Sequence, residues 1–238
     1  MPASTFVIVT AYNEAEQIGA TLDALARVFP AAHVLLADDG STDDTTRLAA
    51  ERRAHVIRSE RMIGKGGAAT LAAREALGRA RAARRSRDPS SEPVFVLCDG
   101  DLGASAARLV ALAHAVERGD ADLAVAAFSR RVGGGFGVAL GFARWAIRRR
   151  CGLQTTAPIS GQRALNAATL ADVLPFAHGF GMELGMTIDA VRAGRRVLEL
   201  ELDLEHRASG RTLSGFVHRG TQLRDFARAY LARGALGG

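Results

Sequence analysis

Val94-Phe95-Val96-Leu97-Cys98-Asp99-Gly100-Asp101 is an apolar run that passes, without a linker, into two carboxylates around a glycine. Consecutive apolar residues of this kind read as a strand buried on both faces. In open parallel sheets, ligands gather outside the carboxyl ends of the strands. An acidic pair in that position is a candidate site if other strands bring polar residues to the same edge.

Two upstream strands do so. Phe6 to Val9 is a short β-branched run followed by Thr10, Ala11, Tyr12, Asn13 and Glu14. Val34 to Ala37 is followed by Asp38-Asp39-Gly40-Ser41. Between them Ile18, Leu22, Leu25 and Val28 recur at helical spacing, which predicts a helix over 14–28. Ser41 or Thr42 can cap a second helix over about 43–53. Val56-Ile57 marks a third strand, and Gly64-Lys65-Gly66-Gly67 opens a helix reaching about Arg81. After Asp101 come a helix over about 104–117 and a fifth strand, Leu123 to Ala127. This alternation predicts an α/β chain: a Rossmann-like, mostly parallel sheet with helices on both faces. Random surface acids would not line up on one edge of it.

The second half is less regular. Gly133-Gly134-Gly135 predicts a loop, and Phe136 to Cys151 a helix ending in Arg148-Arg149-Arg150. Gly161 to Leu165 reads as a strand, Phe180 to Ala193 as a helix, Val197 to Leu202 as a strand, and Leu213 to Leu231 as a final helix.

With 238 residues, 48% of them hydrophobic, one sizeable core and a single domain over 1–238 are expected. No run of about 18 apolar residues predicts a transmembrane helix. Residues 1–5 lack the basic and apolar regions of a secretory signal, so a cytoplasmic chain is expected. Cys98 and Cys151 are too few for a disulfide framework. The net charge of +6 suits anionic ligands: nucleotide diphosphates, a phosphorylated acceptor, or an anionic membrane face. Nucleic acid is not an expected partner, because aromatics are 5% and no basic stretch interleaves them. The densest basic run, Arg79 to Arg87, reads as a helix end entering a solvated loop.

Asp99 and Asp101, flanking Gly100 at a strand end, can hold a hard divalent cation such as Mg2+ or Mn2+, with substrate phosphates as further ligands. The small Gly100 lets the backbone approach a donor closely. Asp38 and Asp39 can accept hydrogen bonds from a ribose or a base edge; the alternative is an Asx turn and helix cap. Lys65, between glycines at a helix start, can reach a nucleotide or its phosphates. The spacing is not that of a P-loop.

Five segments, TAYNE at 10–14, LADDGSTDDT at 36–45, GKGGA at 64–68, LCDGDL at 97–102 and SGQRAL at 160–165, together resemble the family-2 glycosyltransferases of the GT-A fold. The subgroup resembled is that of the polyprenyl-phosphate (dolichyl-phosphate) glycosyltransferases. GFGMELGMTIDAVRAG at 179–194 and LEHRASGR at 204–211 are also similar to glucosyl-3-phosphoglycerate synthases. The resemblance implies a nucleotide-sugar half over 1–127 and an acceptor half with the C-terminal helix over 128–238. Ala11, Tyr12 and Glu14 would line the nucleotide pocket, and Asp39, supported by Asp38, would bind ribose or base. Lys65 would sit near base and phosphates, and Asp99 would touch sugar or ribose. Asp101, with Asp99 and His206, would ligate Mg2+ or Mn2+. Gly161, Gln162 and Arg163 would floor the acceptor site.

Asp101, Glu183 and Arg163 are the residues so assigned to catalysis. One departure stands out: Leu184 occupies the position where members acting on hydroxyl acceptors carry a general-base Asp. Glu183 beside it can act as a base, orient the acceptor, or pair with Arg163 or another buried cation. An acceptor phosphate needs no base, and a retaining mechanism would not use one either. The expected partners are a UDP- or GDP-hexose and a phosphate-bearing acceptor, polyprenyl phosphate ahead of 3-phosphoglycerate, with peripheral contact at the inner membrane face. The basic aromatic helix with Phe142, Trp145 and Ile147 would make that contact. A retaining transfer to a small soluble acceptor, a sugar-nucleotidyltransferase and a nucleotide-binding non-enzyme are the alternatives.

Overall fold

In a computed structural model of the chain, which describes residues 4–86, 92–128, 137–204 and 213–234, the strand ends meet as the sequence pattern requires. The strands are β1 (Thr5–Ala11), β2 (His33–Asp38), β3 (His55–Arg58), β4 (Val94–Asp99), β5 (Leu123–Phe128), β6 (Arg163–Asn166) and β7 (Val197–Leu202). They form one sheet in the order β3-β2-β1-β4-β6-β5-β7. β1 pairs parallel with β2 and β4, β2 with β3, and β5 with β7. β6 runs antiparallel between β4 and β5.

Strand residues alternate between two apolar layers. Val7, Val9 and Leu36 face one layer, with α1 (Ile18–Val28), α2 (Thr45–Glu51) and α4 (Val110–Glu117). Phe6, Ile8 and Leu35 face the other, with α3 (Lys65–Ser86), α6 (Ala167–Val173) and α7 (Gly181–Arg192). A third cluster joins α7 to α5 (Gly137–Cys151) and α8 (Leu213–Ala232).

Several boundaries differ from expectation. The first helix begins at Ile18 rather than Glu14, because Asn13 takes a left-handed φ of 56° and the Glu14 amide is bonded across to Thr45. The helix over 104–117 is split: Gly103–Leu109 is a 3-10 turn that leads into α4. β6 starts at Arg163 rather than Gly161, although the Gln162 carbonyl still accepts from the Ala126 amide. α6 was not expected; Asn166 caps it by accepting from the Thr169 amide at 2.8 Å. The glycine loop at 133–135 and His206 lie outside the described residues.

Candidate active site

Three strand ends converge in register: Ala11 of β1 lies opposite Asp38 of β2, and Thr10 opposite Asp99 of β4. The loops after β1 and β2 are stitched together. The Asn13 amide donates to Ser41 Oγ at 3.0 Å, and Asn13 Oδ1 accepts from the Thr42 amide at 2.8 Å. The Glu14 amide donates to Thr45 Oγ1 at 2.8 Å and the Ala15 amide to Asp43 at 3.1 Å. Tyr12 stands on the rim, 41% exposed.

Asp38 and Asp39 point to different tasks. Asp38 is fully buried; it accepts from the Ser41 amide at 2.8 Å and from the Thr46 hydroxyl. It is thus the turn residue that a bare Asp-Asp-Gly-Ser reading allows, but not a cap: α2 starts at Thr45 with Asp44 at its N-cap position, so neither Asp38 nor the expected Ser41 or Thr42 caps it. Asp39 accepts from the Ile63 amide at 2.7 Å and the Gly64 amide at 3.0 Å. Burial pushes the Asp39 carboxyl above its ordinary range, against those two amides. Asp39 therefore fixes the turn, with Gly64 at φ 83°, from which α3 begins.

Lys65, the first residue of α3, reaches back into the sheet edge. Its Nζ lies 2.6 Å from Asp99 Oδ1 and 2.8 Å from Glu183 Oε1. Burial depresses the ammonium, but the two carboxylates outweigh it and hold Lys65 well above the usual lysine range. Asp99 also accepts from Thr10 Oγ1 at 3.0 Å and from Gln162 Nε2 at 2.8 Å, while Gln162 Oε1 accepts from the Asp99 amide at 3.0 Å. A Cβ on Gly161 would lie 2.7 Å from both Asp99 Oδ2 and Lys65 Nζ. Glycine there is a condition for the cluster.

Gln162 and Arg163 are both 0% exposed, so their side chains support the site from beneath. Arg163 Nε donates to the Ser160 carbonyl at 2.8 Å and Nη1 to Thr187 Oγ1 at 2.9 Å; Thr187 in turn donates to the Glu183 carbonyl at 3.0 Å. Burial pushes the guanidinium down to about 10, against the pull of Glu183 and Glu199. Among the described residues, the Glu183 carboxylate is paired with Lys65.

Asp101, partly exposed, follows on a fastened turn. The Gly100 amide donates to the Thr10 carbonyl at 2.9 Å, and the Gly100 carbonyl accepts from the Thr21 hydroxyl at 2.8 Å. A Cβ on Gly100 would come 3.2 Å from Ala11 Cβ. Ala11, Gly100, Asp101, Asp99, Lys65, Gly161 and Glu183 are thus brought to one edge. Thr21 and Thr187 are not singled out by the sequence, and Thr10 only as the start of the polar run 10–14. Thr10 alone carried a signal, since it follows an apolar strand and meets Asp99 once β1 and β4 are neighbours.

The model of glycosyl transferase family 2 matches residues 6–167. This chain belongs to glycosyl transferase family 2. It is 32% identical over 219 residues to an undecaprenyl-phosphate mannosyltransferase of Micrococcus luteus, which spans 85% of this chain and 84% of the relative. Its fold is that of the glucosyl-3-phosphoglycerate synthase of Mycobacterium tuberculosis. With the phosphoglyceric acid complex the TM-score is 0.73 at 24% identity, covering 97% of this chain and 80% of that one. With the Mn2+ and UDP-glucose complex it is 0.70 at 25%, covering 97% and 79%. The chain is a glycosyltransferase with the GT-A architecture, and the converging strand ends are its candidate active site.

Proposed function

We propose that this glycosyltransferase moves a hexose from a UDP- or GDP-hexose to a polyprenyl phosphate with the help of Mg2+ or Mn2+. The observation that carries the phosphate acceptor is the Lys65–Glu183 bridge of 2.8 Å. An inverting transfer to a hydroxyl acceptor needs a base within reach. On α7 the one carboxylate at the site is tied to an ammonium, and Leu184 beside it is buried. A phosphate arrives already ionised, with a second pKa of about 6, and asks for no base.

Asp101 is assigned to the cation. A hard oxygen donor at a strand end fits one, and such cations are commonly held by one or two carboxylates plus substrate phosphates. The ion, when bound, would offset charge building on the departing diphosphate. Asp99, engaged by Lys65 and Gln162, is assigned to the sugar rather than the ion. His206 remains the candidate for a third ligand. Ala11, Tyr12, Glu14 and Asp39 are assigned to the nucleotide, within a donor half over 1–127. Gly161, Gln162 and Arg163 underlie the acceptor within 128–238.

A lipid acceptor is favoured by the Micrococcus luteus relative and by one surface. Trp145, 51% exposed, packs on Tyr230 with ring centroids 5.1 Å apart and on Phe142 at 5.6 Å. Arg150 lies over the Tyr230 ring at 3.7 Å, and Arg144, Arg148 and Arg149 are exposed on the same helix. Rings at the interface with arginines on anionic headgroups are a peripheral attachment mode. No described helix is long and apolar enough to cross a membrane. The second reading, transfer to a small acceptor such as 3-phosphoglycerate, is favoured by the synthase structures, whose fold covers 97% of this chain.

The test offers one nucleotide sugar, chosen by a thermal-shift screen with Mn2+, to three acceptors: a short polyprenyl phosphate, 3-phosphoglycerate and a neutral sugar. Transfer to the polyprenyl phosphate is expected. Transfer only to the neutral sugar would refute the phosphate reading. Transfer only to 3-phosphoglycerate, without binding to anionic liposomes at low salt, would replace the lipid by the metabolite.

A further inference from the structure

We propose that Lys65 is a positioning residue that ties a donor-side carboxylate to an acceptor-side carboxylate, and that it makes no contact with the nucleotide's phosphates. The inference rests on the reading of Asp99 and Glu183 given above. Asp99 ends β4, in the half that carries Asp39 and Asp101; Glu183 sits in the first turn of α7, beyond the sheet crossover through β6. One ammonium spans the two, at 2.6 and 2.8 Å.

The amine has little room to do otherwise. Gly161 closes a further side, since even a methyl group there would come within 2.7 Å of Nζ. The stem is equally fixed. Asp39 holds the Ile63 and Gly64 amides just before Lys65. Just after it, a Cβ on Gly66 would lie 1.9 Å from the Ala177 carbonyl oxygen, so the start of α3 is pressed against the segment that leads into α7. The same contact that aims Lys65 therefore also registers α7.

The charge pattern explains why a cation is needed. Glu183 is 4% exposed and Asp99 has only a side-chain exposure of 20%, so two carboxylates that share one partner would repel strongly in a weakly screened site. Arg163 also acts on Glu183, but its hydrogen bonds go to Ser160 and Thr187. Lys65 thus sets the spacing between the group beside the sugar and the group beside the acceptor. A displacement of about 1 Å in such an arrangement can cost about 100-fold in rate.

Two readouts that need no acceptor test the proposal. In the first, UDP and GDP, each with Mn2+, are titrated calorimetrically into the wild type and Lys65→Met. The dissociation constant of whichever nucleotide binds should change by less than about threefold, since uniform binding contacts are intact. A tenfold or greater weakening would overturn the proposal and return Lys65 to the phosphates. In the second, melting temperatures are measured for Lys65→Met, Glu183→Gln and the double variant. Glu183→Gln should lower the melting temperature of the wild type but raise that of Lys65→Met, because it removes one of two unbalanced carboxylates. A lowering in both backgrounds, additive within error, would also overturn it. Failure of every phosphate acceptor would strike the proposed function and leave both readouts standing.

Discussion

Gly66→Ala should damage both stability and turnover, although it adds one methyl group to a helix. The new Cβ would sit 1.9 Å from the Ala177 carbonyl oxygen and 3.0 Å from its carbon. That is roughly 1.5 Å inside ordinary contact, against backbone rather than a movable side-chain tip. Either α3 or the segment before α7 must retreat, and either motion stretches the Lys65 contacts of 2.6 and 2.8 Å. Overpacking of this kind costs about 1–3 kcal/mol, and for a chain of this size that lowers the melting temperature by roughly 2–12 °C. Turnover should fall by about 100-fold if a shift near 1 Å reaches the site. Gly78→Ala is the internal control. It lies in the same helix with nothing within 4 Å of its added Cβ, and should be stabilising by about 0.5–1 kcal/mol. Scanning calorimetry and initial rates on the two variants decide the matter. A Gly66→Ala protein that melts and turns over like the wild type would refute the packing argument.

Three further outcomes are expected. Asp101→Ala should abolish transfer, through loss of several kcal/mol of cation and donor binding, with an unchanged circular dichroism spectrum; near-normal turnover, or full wild-type activity in EDTA, would remove Asp101 from the metal role. Asp39→Ala leaves the Ile63 and Gly64 amides without their acceptor, which should cost about 1–3 kcal/mol and weaken nucleotide binding; unchanged melting and calorimetry would contradict the role assigned to the Asp39 turn. Glu199, held below the ordinary glutamate range because hydrogen bonds from Thr155, Thr156 and Ala157 outweigh burial, stabilises the fold at and above that range. Its contribution should be lost as pH falls through the lowered native value, and Glu199→Gln should flatten that part of the acid melting curve.

The half that was regular in sequence was also the more legible half. Strands β1, β2 and β4 announced themselves as apolar runs, and their polar endings predicted the site edge because a parallel sheet puts all such endings on one side. The second half hid more. β6 enters antiparallel between β4 and β5, a topology that four residues of strand cannot signal. α6 has seven residues and no long apolar period, so its Asn166 cap was its main trace. Among site residues, Asp38 illustrates the limit: the same Asp-Asp-Gly-Ser can supply a ligand or a turn, and only the folded partners of Asp38, the Ser41 amide and the Thr46 hydroxyl, distinguish them. Gln162 and Arg163 were legible as candidates, but not as fully buried side chains. The Lys65–Glu183 pair joins residues 118 positions apart, and no local pattern could give it.

The most direct test of the account is transfer of a labelled hexose from its UDP or GDP donor into an organic-extractable product, with a short polyprenyl phosphate as acceptor and Mn2+ present. Label is expected in the organic phase, lost on addition of EDTA and lost in Asp101→Ala. Label that stays entirely in the aqueous phase with the wild type, while 3-phosphoglycerate or a neutral sugar becomes labelled, would contradict it.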